Sequence, residues 1–162
     1  MKPQIIQTDP KNMVVLHVRT CFAENQTFAQ WQQFRRLAKT IEGDVPPGFY
    51  AIRKYDDGLR PHELTPHTLF DQYAAVEIAD PARIPEELMT FQLPAGLYAV
   101  FMHRGTAAVF HQTMHTIHTE WLPNSGFEWD DRPHFEYMPP DYHPMNPESE
   151  EEIWIPIRPV SP

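Results

Sequence analysis

The 162-residue chain has a single cysteine, Cys21, so it can form no internal disulfide, no cysteine zinc ribbon and no paired-thiol redox motif. Long apolar runs are missing too. The longest, Leu97 to Met102, falls far below the roughly 18 residues needed to span a bilayer as a helix. The opening Met1-Lys2-Pro3-Gln4 begins no apolar secretion segment. Positive charge is scarce: 13 Lys and Arg stand against 22 Asp and Glu, a formal net charge of −9. That sign repels phosphate backbones and anionic lipid, so neither nucleic acid nor membrane is expected as a direct partner, and a cytoplasmic protein is expected. Glycine is rare, 6 residues against 18 prolines, which favours short elements and stiff loops over a long-helix bundle. No Gly-rich phosphate loop, nucleophile elbow or Ser-His-Asp ordering is present, so nucleotide hydrolysis and serine chemistry have no support.

What is present is an apolar pattern strong enough for a core: hydrophobic residues make up 41% and aromatics 12%. Met13 to Arg19 alternates as a strand. From Thr27 to Ile41, Trp31, Phe34, Ala38 and Ile41 recur with the helical period, with Thr27 as candidate cap and Gly43 as candidate stop. Phe49 to Arg53 and Gln72 to Ile78 read as strands. The order then repeats: Leu88 to Leu93 and Leu97 to His103 extended, Gly105 to Trp121 helical through Phe110, Met114, Ile117 and Trp121, then strands at Phe135 to Met138 and Ile153 to Ile157. The N-terminal dozen residues, polar with two prolines, suggest no element. The expectation is an α+β fold: one domain over 1–162, made of two pseudo-symmetric strand-helix-strand-strand halves at about 12–80 and 86–158. Antiparallel sheets would flank a central ligand groove.

Alternation also suggests which side chains meet a ligand. Ile153, Ile155 and Ile157 share one face of the last strand, and Glu152 and Trp154 the other. If the isoleucines and Phe135 cover the second helix, the opposite face holds Glu136, Met138, Trp154 and Glu152. A carboxylate among such side chains suits a pocket for an apolar or cationic small molecule. The competing reading is a solvated strand face.

Several segments resemble the GyrI-like small-molecule-binding family, the AraC-type effector-binding domain. They are Pro94 to Phe101, His103-Arg104-Gly105, Glu120 to Glu128, Pro133 to Tyr137 and Glu152 to Ile157. The resemblance implies a groove for hydrophobic, often cationic, compounds, as in multidrug binding and transcription regulation. It places Glu136 as the groove carboxylate and Trp154 as an aromatic wall. No DNA-binding module accompanies these segments, so a standalone member is expected. Its function would be capture of hydrophobic or cationic aromatic compounds on a glutamate anchor. Two alternatives remain: a hydrolase that opens electrophilic, cyclopropane-type toxins with the same glutamate, and an interaction protein that modulates gyrase or a regulator. The candidate ligand residues are Glu136, Trp154, Met138, Tyr98, Glu152 and Tyr73, with Glu136 catalytic if turnover occurs. No cofactor and no metal are expected.

Other clusters carry blander readings. His111, His115 and His118 share a helix face, yet they flank an apolar stripe where polar residues belong, and no carboxylate accompanies them. His103 reads as structural and Cys21 as a small buried hydrophobe. The acidic run from Glu148 reads as a solvated loop until Glu152.

Overall fold

The computed structural model describes residues 2–161, the side chains of Pro81 and Ala82 excepted. In chain order the elements are β1 (Gln4–Thr8), β2 (Lys11–Thr20), α1 (Thr27–Ala38), β3 (Glu42–Gly43), β4 (Phe49–Tyr55), β5 (Phe70–Glu77), β6 (Pro81–Arg83), β7 (Met89–Leu93), β8 (Gly96–Arg104), α2 (Phe110–Thr116), β9 (Phe127–Trp129), β10 (His134–Met138) and β11 (Glu150–Pro159). The expected strand-helix-strand-strand order appears twice, as β2-α1-β4-β5 and β8-α2-β10-β11.

The strands join in one antiparallel sheet in the order β1-β8-β11-β10-β4-β5-β2-β7, with β9 on the end of β11 and a small β3–β6 pair apart. The halves therefore do not sit as two sheets: β4 and β10 pair at the centre, from Phe49↔Met138 to Arg53↔His134. The leading strands are exchanged. β1 precedes β2 but pairs with β8, and β7 precedes β8 but pairs with β2. The polar N-terminal residues thus form a strand that the sequence pattern did not suggest. Its cohesion comes from backbone pairing and from Thr8, whose hydroxyl donates to the Gly96 carbonyl at 3.1 Å, and not from apolar alternation.

Residues directly opposite one another in a ladder share a face, so the registers settle which side each chain segment presents. One row runs Phe101, Ile153, Glu136, Ala51, Ala74, Leu16, and both helices pack on that side. Phe34 and Leu37 of α1 bury against Val14, Ala74 and Val76. Ile117, in the turn after α2, buries against Ala99, Phe101, Ile153 and Ile155. The row one residue over runs Val100, Trp154, Phe135, Ile52, Tyr73, His17, on the side away from the helices. In a flat sheet β2 and β11, four positions apart, would lie about 19 Å apart. Lys11 of β2 and Trp154 of β11 nonetheless line one pocket, so the sheet curls over this second side. That curl buries Met13, Tyr98 and Phe135 almost completely without a covering helix.

The helix ends differ from the sequence expectation. Thr27 is the first helical residue and not the cap; the Asn25 side-chain oxygen accepts its N–H at 2.9 Å. α1 stops at Ala38, short of Ile41. The second helix is composite: a 3-10 turn at Ala107–Val109, then α2, a wide π turn at Ile117–Trp121 and a last tight turn at Leu122–Asn124. Such a wide turn is common at functional sites, and this one carries His118.

Candidate functional site

Between α1 and α2 the floor is β4, β10 and β11. Arg53 comes from β4 and Glu136 from β10, and their side chains meet at 3.1 Å, Nη2 donating to Oε1, with both residues over 90% buried. The guanidinium also lies over the rings of Phe22 and Phe70, at 5.7 and 5.6 Å. Its Nε is buried without a hydrogen-bond partner. Glu151 of β11 is 5% exposed on the same face, two residues along from the Ile153 that stands opposite Glu136. The segment 139–149 connects β10 to β11. It is tied down where the Gly105 N–H donates to the Ser149 carbonyl and the Ala107 N–H to the Pro144 carbonyl, both near α2. It carries Tyr142, a half-buried phenol near both carboxylates.

Two buried carboxylates thus lie near one guanidinium, which is paired with Glu136 alone. Burial raises the proton affinity of Glu136, and the Arg53 charge and hydrogen bond pull it back part of the way. Burial pushes the Glu151 carboxyl up to about 8; the Glu136 charge adds to this and Arg53 opposes it. Burial, then Glu151 and Glu136, push Tyr142 up to about 12. On the α2 side, burial and then Arg53 hold the His118 imidazole down at about 4. Burial, with His118 and Arg53 behind it, holds His134 well below the usual range. Both rings pack edge-on to Trp129, which stacks on Tyr55. Beyond them an open pocket of about 770 Å³ lies between α2 and the 60–62 loop, walled by His118, Met114, Leu122, Trp129 and Arg60.

The sequence-based site residues separate across the sheet. Glu136 and Met138 lie on the helix side, where Glu136 was not expected. Trp154, Glu152, Tyr98 and Tyr73 lie on the other. The cause is register: Phe135 stands opposite Trp154 and stacks on it at 5.1 Å, so Phe135 does not cover the helix with the isoleucines. Glu152 accepts the Trp154 indole N–H at 2.9 Å. Tyr73 stacks on Phe91. Tyr98 is fully buried, its hydroxyl donating to the Pro133 carbonyl at 2.8 Å, and so offers no ligand a surface. A shallow pocket of about 180 Å³ does open on that side, between Lys11, Tyr50, Phe135, Tyr137, Glu152 and Trp154.

Arg53, Tyr142 and Glu151 were missed. For Glu151 a signal existed. The alternation Ile157, Ile155, Ile153 continues back to it, but its acidic neighbours suggested a loop. His103 is buried, its Nδ1 2.8 Å from the Thr113 hydroxyl, a structural role as read. Among the described residues no group of three His, Cys, Asp or Glu side chains is placed to hold a metal, His111, His115 and His118 included.

A model of the GyrI-like small-molecule-binding domain matches residues 1–158. The chain belongs to that family. Among curated proteins, the transcriptional regulator BrlR of Pseudomonas aeruginosa is 33% identical over 93 residues, which are 57% of this chain. That match spans 34% of the length of the regulator. Solved GyrI-like folds superpose over nearly the whole chain. SAV2435, solved with tetraphenylphosphonium, has a TM-score of 0.73 at 18% identity, covering 98% of this chain and 94% of that one. The EcmrR C-terminal domain has 0.71 at 13% identity, with 98% of both chains covered. A hydrolase from Listeria innocua has 0.62 at 13% identity, covering 97% and 92%. At these identities the likeness is one of fold. No helix among the described residues is long and apolar enough to cross a membrane.

Proposed function

We propose that this GyrI-like protein captures hydrophobic organic cations between α1 and α2, in a cleft that opens over the Glu136–Glu151 pair, which supplies the negative charge. The observation that carries this reading is a charge count on the helix side of the sheet: two buried carboxylates against one buried guanidinium, with Phe22 and Phe70 against the guanidinium and Tyr142 near the carboxylates. A buried carboxylate without its own cation is costly to ionise, and an organic cation relieves that cost while its apolar groups leave water. The pocket beside His118 offers room for those groups. SAV2435, solved with tetraphenylphosphonium, supplies the probe.

A thermal-shift titration tests this. At about 100 times its dissociation constant the ligand stabilises the fold by roughly 2.7 kcal/mol, or about 5–11 °C in Tm at this chain length. The shift should shrink in Glu136→Gln. No shift in the wild type refutes the reading, and equal shifts in both proteins move the site to the aromatic pocket at Trp154.

Hydrolysis is a second reading, favoured by the neutral carboxylic acid that burial makes of Glu151, a group able to protonate a strained electrophile as its ring opens. Mass spectrometry of candidate electrophiles with the protein decides it, since turnover by hydrolysis adds one water to the compound. Unchanged masses across the set would refute it.

A further inference from the structure

Each element packed around Glu151 contributes a group whose commitments are visible. Across the ladder from β8 stands His103, whose ring nitrogens are engaged by Thr113 on α2 and, at 3.4 Å, by the Thr106 carbonyl. From β10 comes Glu136, a diagonal neighbour at about 7–8 Å between Cα atoms, already bound to Arg53 of β4. From the 139–149 segment comes the Tyr142 phenol. Among the described residues no hydrogen bond reaches the Glu151 carboxyl and no cation is paired with it, although the residue is 95% buried (5% exposed). The Arg53 guanidinium is already bound to Glu136, and an unpaired, buried carboxylate takes up a proton rather than remain charged.

We infer that Glu151, and not Glu136, is the exchangeable anchor of the cleft: it is a carboxylic acid in the ligand-free protein, and capture of a permanent organic cation expels its proton to solvent. The inference rests on the cation-binding reading above. Only the O–H bond of Glu151 breaks; the proton passes to the buffer, the carboxylate faces the cation, and the total charge of the cleft is unchanged. Arg53 and Glu136 stay paired and set the floor. The other titratable groups of the cleft do not supply this proton near neutral pH, because burial keeps His118 and His134 neutral and Tyr142 protonated there. Affinity for a permanent cation then rises with pH, while affinity for a neutral ligand does not.

Calorimetric titration of the full chain with tetraphenylphosphonium at pH 6 and pH 7, each in two buffers of different ionisation heat, reads the proton directly. The expected result is close to one proton released per cation and a Kd that falls about tenfold between the two pH values. Binding with buffer-independent heats and an unchanged Kd overturns the inference and leaves the cation-binding reading standing. Absence of binding at both pH values overturns both. In Glu151→Gln the proton release should vanish and the pH dependence flatten, whereas release at the wild-type level removes the assignment to Glu151. Should that variant fail to fold, carbon-13 NMR of the wild-type Glu151 carboxyl gives the same answer. It should be protonated at pH 6 without ligand and ionise on addition of the cation; a carboxylate at pH 6 without ligand overturns the proposal.

Discussion

Replacing Glu151 by glutamine removes a titration that the fold has displaced from its ordinary place, and the effect on stability has a definite sign. In the unfolded chain the carboxyl ionises near its ordinary value of 4.5, whereas in the folded protein burial holds it protonated to about 8. Between those values the folded state binds more protons than the unfolded state. Stability contributed by Glu151 is therefore present below pH 4.5 and is lost progressively as pH rises toward 8. Each pH unit is worth at most about 1.4 kcal/mol, less near the two titration points, so from pH 5 to pH 8 the wild type should lose about 3.5 kcal/mol relative to Glu151→Gln. The glutamine keeps the shape of the neutral acid, so the two proteins should be similar in stability at pH 5. Urea unfolding of both at whole pH steps, with ΔG extrapolated to water, measures the difference. Curves that run parallel from pH 5 to pH 8 would refute the claim that Glu151 is held neutral by burial.

Two further perturbations address the floor and the far wall of the cleft. Glu136→Leu alone strands a buried guanidinium that already has one unpartnered nitrogen, so urea unfolding should show a loss of about 3–5 kcal/mol. The double variant Arg53→Met with Glu136→Leu should recover most of it, and a double variant as unstable as the single one would contradict the ion-pair reading. At the other end, His118 is held near 4 while the unfolded imidazole titrates near 6.5. The unfolded state then takes up more protons in that window, so stability is lost as pH falls from 6.5 to 4. Thermal melts of His118→Gln should show a flatter acid limb than the wild type, and an unchanged limb would count against burial as the cause.

Much of the fold was legible because it is written in local periodicity. Trp31, Phe34 and Ala38 mark α1, the alternating isoleucines mark β11, and the repeated order of elements follows from where such stretches begin and end. β1 was hidden because its stability lies in backbone pairing to β8 and not in its own side chains. The composite end of the second helix was hidden for a related reason. The turn Ile117–Trp121 is widened within a continuous apolar stripe that reads as ordinary helix.

The site was legible residue by residue and misread as a set. Alternation correctly separated Glu136 from Phe135 and Glu152 from Ile153, but a period of two fixes only which residues of one strand share a face. It leaves open which face of the next strand they join, and one step of register reverses the answer. The pairing Phe135↔Trp154 made that choice, putting Glu136 under the helices and Trp154 on the curled side. The resemblance had already singled out Glu136; only the tertiary structure showed that Arg53 neutralises it and that Glu151 is the carboxylate left over. The sequence by itself determined composition, charge, element order and the alternation within each strand, since these depend on neighbours along the chain. Partnership, burial and proton affinity depend on which strands meet across 83 residues of separation, as Arg53 and Glu136 do, and those were decided by packing alone.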